Sequence, residues 1–204
     1  MKKLFGENSK DYLDVIYTNW YRSYMQTCKP KRVCWLGAVP KQIEKKFFLH
    51  IDVKLSDVIA KAEALPLIDG CFDLIVVANF HETSKDYRST FDEISRVLAD
   101  GGHLLIFSLS PWGSLAVNSL LKNNNKKLLT ISGMKNCLYK NSVFLQRRFG
   151  LFYRPDIDFM FKSLGFLELF APFISPWLAS VNVTMWKKCS LGVLIDENSC
   201  ESWG

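Results

Sequence analysis

The spacing of apolar residues divides the chain into helical and extended segments. From Lys10 to Cys28 apolar and aromatic side chains recur every three or four residues, which predicts an amphipathic helix that ends before Pro30. Continuous apolar runs at Val33–Gly37 and Phe72–Phe80 predict buried strands instead, because a strand covered on both faces lacks polar alternation. The chain therefore begins as a helix followed by strands of a covered sheet.

A second helix and strand continue this order. From Asp86 the apolar residues again share one helical face, and Gly101-Gly102 is predicted to close that helix before a strand at His103–Leu109. Another strand is predicted at Phe47–Val53. Strand, helix and strand in this order predict right-handed βαβ units and an open α/β sheet.

Later segments predict a helix at Asp156–Leu164, a strand at Phe166–Phe170 and an edge strand at Val181–Trp186. The 204 residues suit one globular domain. We divide it into an N-terminal helix (1–30), core βαβ units (31–110), a basic cover insertion (111–155), a C-terminal helix with strands (156–190) and a tail (191–204).

Composition narrows the class of protein. The N-terminal residues lack the apolar core of a secretory signal, and no apolar run approaches the roughly 18 residues of a membrane span, so a cytoplasmic location is expected. The six cysteines form no C-x-x-C pair, and with the histidines equally dispersed we expect free thiols and no metal site.

Charge is unevenly distributed along the chain. The net charge is +6, and no acidic residue occurs between Asp100 and Asp156. Such a stretch favours anionic partners, although a solvated positive face without a dedicated ligand explains it equally.

Several short motifs follow one another between Ala62 and Gly113. They are ALP (64–66), FDLIV (72–76), EISRVL (93–98), GG (101–102) before an apolar strand, and SPW (110–112). In this order and spacing they resemble the central half of class I S-adenosylmethionine-dependent methyltransferases of the type 11 kind. The resemblance implies a Rossmann-like, doubly wound, mostly parallel seven-stranded sheet with helices on both faces, and S-adenosylmethionine as cofactor.

The family's cofactor loop after the first strand is only partly preserved. The resemblance places Trp35, Gly37 and Ala38 against the cofactor, and Gly37 matches the first glycine of the family pattern. Val39 and Lys41 replace the next two glycines, and Pro40 removes a backbone N–H.

Acidic positions of the family site are also altered. Asp52 is the candidate for the ribose hydroxyls, fifteen positions after Gly37 and closer than the roughly 20 usual in dinucleotide folds. Lys61, Ala62 and Glu63 match the adenine motif, in which the family often has an acid where this chain has lysine. A solvated strand-end acid remains the alternative for Asp52.

The resemblance also assigns the segment after the fourth strand. Asn79 and Phe80 would flank the sulfonium, and His81 or Glu82 would act as general base, unless His81 only orients its loop. Methyl transfer by SN2 displacement depends mainly on alignment, so a base is not obligatory.

Three functional hypotheses follow. The first is a methyltransferase whose acceptor is anionic, such as RNA or a carrier-bound acid. The second is a non-catalytic partner or scaffold protein that has lost cofactor binding, and the third is a basic nucleic-acid-binding module. A nicotinamide-dependent dehydrogenase is disfavoured because it needs the phosphate-binding glycines more strictly.

Overall fold

A computed structural model describes residues 7–43, 48–52, 57–61, 63–78, 86–110, 130–151 and 179–189. The helices are α1 (Glu7–Cys28), α2 (Tyr87–Val97) and α3 (Ile131–Lys140), and the strands are β1 (Val33–Gly37), β2 (Leu49–Asp52), β3 (Val58–Ile59), β4 (Phe72–Ala78), β5 (Leu98–Leu109), β6 (Val143–Leu151) and β7 (Val181–Lys188). None of the described helices is long and apolar enough to cross a membrane.

The strands form one seven-stranded sheet in the order β3-β2-β1-β4-β5-β7-β6. The first five are parallel, whereas β7 is antiparallel to both β5 and β6. The predicted Rossmann-like, mostly parallel architecture is therefore confirmed. Strand order reverses between β1 and β4, and a crevice forms at the carboxyl ends of strands beside such a switch point.

Helices cover both faces of the sheet. Alternate residues of each buried strand point to opposite faces, so Trp35 and Val76 join the α1 side while Leu36 and Val77 join the side of α2 and α3. The strongly buried β1 and β4 thus explain the uninterrupted apolar runs in the sequence.

Helix α1 crosses its face with an aromatic stripe. Tyr17 stacks on Phe107 of β5 with ring centroids 4.2 Å apart, and Trp20 packs on Phe149 of β6 at 4.6 Å. The helix ends as predicted before Pro30, with Lys29 in a left-handed conformation (φ 43°). Its aromatic side chains therefore hold the parallel and antiparallel parts of the sheet together.

The predicted glycine cap of α2 is wrong. The helix ends at Val97, and Gly101-Gly102 lies within β5, where the register with β4 shifts. Gly101 has φ 73°, and a Cβ on Gly102 would lie 2.7 Å from a backbone carbonyl oxygen. The glycines are needed for an irregular strand entry and not for a helix end.

The antiparallel edge also differs from the prediction. β7 was expected at the edge but lies between β5 and β6, so β6 is the outer strand. Residues 131–151, taken as part of the cover insertion, form α3 and β6 and belong to the sheet layers. The helix and strand predicted within 156–170 and the tail lie outside the described residues.

Candidate functional site

The switch point brings two predicted cofactor positions together. Gly37 at the end of β1 pairs with Ala78 at the end of β4, and Asp52 follows directly on the Leu36–Ile51 pair. Asp52 thus lies beside Gly37 at the same edge of the sheet. The predicted residues Ala62, Asn79, Phe80, His81 and Glu82 lie outside the described residues.

Two connections between neighbouring parallel strands are short, and the first of them sets the reduced spacing between Gly37 and Asp52. Residues 38–48 join β1 to β2 and residues 53–57 join β2 to β3. Both are shorter than the connection of about a dozen or more residues that parallel neighbours usually require.

The loop after β1 keeps the conformation that needs glycine. Gly37 has φ 93°, a left-handed value that side chains other than glycine disfavour. Among the described residues, the only non-glycine residues with positive φ are Lys29 and Ser142, so Val39 and Lys41 adopt ordinary backbone conformations. The lost glycines therefore introduce no backbone strain.

The side chains that replaced those glycines are accommodated. Val39 is half-buried and packs on the α1-side core, Pro40 is buried, and Lys41 is exposed. The Pro40 carbonyl accepts a hydrogen bond from the Ile43 N–H at 3.2 Å, which closes the turn.

Trp35 supports the loop from below. Its side chain is fully buried, its indole N–H donates to the Ala38 carbonyl at 3.1 Å, and its ring packs against Tyr21 and Phe48. Ala38 itself is half-buried. Trp35 thus shapes the loop through Ala38 from within the core.

His50 is a further residue of this site, and the sequence motifs do not identify it. Its Nε2 lies 2.8 Å from the Gly37 carbonyl oxygen, and because a carbonyl only accepts, Nε2 carries the proton. Nδ1 is also buried, and within the described part of the chain it has no hydrogen-bond partner. The only sequence signal was the position of His50 two residues before Asp52.

His50 is held in place through its backbone. Its N–H donates to the Asp57 carboxylate at 3.0 Å, and the Asp57 N–H donates to the His50 carbonyl at 3.1 Å. This reciprocal pair bridges the ends of the short β2–β3 connection.

The predicted adenine segment forms a tight turn. The Ala64 N–H donates to the Lys61 carbonyl at 3.2 Å, with Lys61 exposed and Glu63 half-buried. The next N–H, that of Leu65, donates to the Glu93 carboxylate of α2 at 3.0 Å. Helix α2 therefore anchors the turn.

Arg96 completes this anchor. Its guanidinium donates to the Leu65 carbonyl at 3.1 Å and to the Leu67 carbonyl at 2.8 Å, and it pairs with the carboxylates of Glu93 and Asp69. Hydrogen bonding to Arg96 lowers the pKa of Glu93. The ALP and EISRVL motifs thus act as one clamp, which holds the 61–69 segment on α2.

A separate polar cluster lies at the opposite edge of the sheet. The Tyr24 hydroxyl and His103 Nδ1 are 2.6 Å apart, and Cys28 Sγ lies 3.3 Å from the same nitrogen. Burial, with a contribution from Lys187, lowers the pKa of His103. This cluster ties the end of α1 to β5 and is not part of the candidate site.

Comparisons with known proteins agree with this geometry. Residues 19–106 match a family model described as a methyltransferase domain. A demethylmenaquinone methyltransferase from Thermus thermophilus is 40% identical over 52 residues, which make up 26% of this chain and 24% of the relative. The match thus spans about a quarter of that relative's length.

Solved structures share the fold at low identity. A proposed sarcosine dimethylglycine methyltransferase from Galdieria sulphuraria has a TM-score of 0.59 and 12% identity, with 86% of each chain covered. A SAM-dependent methyltransferase from Thermotoga maritima has a TM-score of 0.55 and 14% identity, with 84% of this chain and 96% of that chain covered. The sequence matches are both to methyltransferases, and the shared strand order shows that this chain has the class I methyltransferase fold.

Proposed function

We propose that this chain binds S-adenosylmethionine over the carboxyl ends of β1, β2 and β4 and transfers its methyl group to an acceptor bound nearby. The observation that carries the proposal is Gly37, whose left-handed backbone stands at the switch point beside Asp52 and Ala78. Because glycine has no Cβ, this position would let a ligand approach the loop backbone closely.

The chain's own residues fit an adenosyl ligand. Gly37 and Ala38 would contact its methionine and ribose parts, and the Asp52 carboxylate would accept from the ribose hydroxyls. The Lys61–Glu63 turn would border the adenine, held at its position by the Arg96 clamp.

The local structure favours binding over the scaffold alternative. The argument for lost binding rests on Val39, Lys41 and Lys61. Val39 packs towards the core, whereas Lys41 and Lys61 are exposed. None of the three substitutions forces the loop backbone into a conformation that would reject a ligand.

The chemical roles follow from position along the sheet. When bound, the cofactor supplies an electrophilic methyl group for in-line displacement. Asn79 and Phe80, which directly follow β4, are proposed to flank the reacting centre. His81 or Glu82 is proposed to take the proton that the acceptor loses.

Calorimetric titration with S-adenosylhomocysteine tests the proposal. We expect saturable binding that weakens by about tenfold or more in Gly37→Ala, because the added Cβ strains the left-handed backbone by roughly 1–2 kcal/mol and narrows the cradle. Gly101→Ala is the matched control, since Gly101 also has positive φ but has nothing within 4 Å of an added Cβ. Absence of binding by the unmodified chain, or equal loss in both variants, would refute the proposal.

A further inference from the structure

A row of polar residues lies on the α2 and α3 side of the antiparallel strands. Ser108 of β5 pairs with Asn182 of β7, which in turn pairs with Gly150 of β6. Ser108 and Asn182 are 1% and 3% exposed, so both are polar groups removed from water. Thr184 on the same face of β7 is also buried and polar, whereas Leu104, Ile106 and Trp186 on this face are apolar, so the row interrupts a largely hydrophobic face.

The Ser108 hydroxyl is not satisfied. Its Oγ is buried and has no hydrogen-bond partner within the described residues. Burying a hydroxyl without a partner is unfavourable, and native proteins seldom leave one in this state. The hydroxyl can therefore still donate to or accept from a polar ligand atom that reaches it.

Arg148 reaches this row from the outer strand. Its Nη2 donates to Asn182 Oδ1 across 3.4 Å, and that is its one contact within the described part of the chain. Its other guanidinium donors are available to a ligand. Gly150, opposite Asn182, contributes no side chain to this part of β6.

A bulge determines which arginine faces the row. Leu145 pairs with Trp186 and Arg147 pairs with Met185, so Gln146 is an extra residue in β6. In a regular strand Arg147, two residues after Leu145, would share its face. Because of the bulge, Arg148 takes that face and Arg147 points to the α1 side. Bulges often re-aim a side chain beside a functional site.

We infer that Arg148, Asn182 and Ser108 form the subsite that recognises a carboxylate group on the methyl acceptor. The inference rests on the proposed function, because it assigns the acceptor of the same site. One planar guanidinium with an amide and a hydroxyl suits a singly charged carboxylate. A nucleic-acid backbone would instead require several basic residues along one face.

The distance from the row to the end of β4, where methyl transfer is proposed to occur, sets the length of the acceptor. Ser108 comes one residue after Phe107, which pairs with Ala78 at the end of β4. Asn182 lies two strands from β4, and neighbouring strands are about 4.8 Å apart. The carboxylate should therefore lie about 10 Å from the atom that receives the methyl group, which describes an elongated acid.

Ligand-observed NMR with straight-chain monocarboxylates and their primary amides tests this subsite. We expect the acids to bind and the amides to bind about tenfold more weakly or worse, because a charge-assisted pair is lost. Arg148→Gln should reduce acid binding to the level of the amides. Arg147→Gln is the matched control, with the same charge change on the opposite face, and should bind the acids normally.

The measurements distinguish this inference from the proposed function. Binding is recorded with and without S-adenosylhomocysteine, so a chain that fails to bind the nucleoside still reports on the carboxylate subsite. Equal binding of acids and amides, equal loss in both arginine variants, or no acid binding would overturn the inference. Steeply salt-dependent binding of a short RNA that Arg148→Gln abolishes, without acid binding, would overturn it in favour of nucleic acid.

Discussion

Replacing Arg96 by methionine should both destabilise the fold and weaken cofactor binding. Methionine keeps the apolar stem but removes the donors to the Leu65 and Leu67 carbonyls. It also leaves the Glu93 carboxylate with only the Leu65 N–H among the partners described above. The variant thus frees the 61–69 segment from α2 without creating a large cavity.

The magnitude follows from the lost contacts. Each hydrogen bond to a charged group contributes about 1.5–3 kcal/mol, so the two carbonyl contacts set a range of roughly 3–6 kcal/mol. The Arg96 side chain is 31% exposed, and water can replace part of what is lost. We therefore expect a loss of about 3 kcal/mol, or a fall in melting temperature of roughly 6–12 °C for a chain of this size.

Urea unfolding and titration with S-adenosylhomocysteine measure the two effects. With a urea m-value of about 2 kcal/mol/M, the midpoint should fall by about 1.5 M. Nucleoside affinity should fall by about tenfold or more, since the adenine turn must be ordered on binding. Arg88→Met is the control, because Arg88 is exposed on the same helix.

Two outcomes would refute this reasoning. If Arg96→Met is no less stable than Arg88→Met, the guanidinium contacts do not stabilise the segment. If stability falls but nucleoside affinity does not, the clamp does not position the adenine turn.

Variants at four positions test other parts of the molecule. His50→Leu should weaken S-adenosylhomocysteine binding and lower the free energy of unfolding by about 1–3 kcal/mol, because it removes the donor to the Gly37 carbonyl. His50→Gln keeps a donor and should bind S-adenosylhomocysteine more tightly than His50→Leu. Equal affinities of the two variants in calorimetric titration would contradict this. The pKa of His103 is lowered from its ordinary value near 6.5, so the unfolded chain takes up the proton first. The contribution of His103 to stability should be fully present above about pH 6.5 and should be lost as the pH drops towards the lowered pKa. Melting temperatures measured across this pH range should fall in the unmodified chain and should lose this pH dependence in His103→Gln. The same pH dependence in both proteins would contradict this expectation. Gly102→Ala should lower the free energy of unfolding in urea by about 1–3 kcal/mol, because its Cβ meets a backbone carbonyl. Gly101→Ala should lower it by about 1 kcal/mol. A larger loss in Gly101→Ala than in Gly102→Ala would show that the Cβ at position 102 does not clash.

Elements with strong local patterns were predictable from the sequence. The three-to-four spacing of aromatic residues identified α1, and the apolar runs identified β1 and β4, because burial on both faces leaves a pattern within a few residues. The position of Asp52 beside Gly37 was also anticipated, since parallel strands end at the same edge.

Features that depend on pairing between distant strands were not predictable. The Gln146 bulge breaks the alternation of β6, so that strand has no period-two signal. β7 has the alternating pattern of an edge strand, because its polar residues Asn182 and Thr184 share one face, but both are buried on the α2 and α3 side of the sheet. His50 gave no signal, since its partner is a backbone carbonyl thirteen residues away.

The position of β7 affects how the protein is made. This strand is synthesised after all the other described strands, yet it lies between β5 and β6, and Trp20 of α1 packs on Phe149 of β6. Before β7 is synthesised, β6 has no neighbour among the described strands, and the aromatic side chains of α1 have only part of their packing surface. In the nascent chain, part of the apolar face of α1 therefore stays exposed until residue 188 has left the ribosome, and exposed apolar surface of this kind favours aggregation.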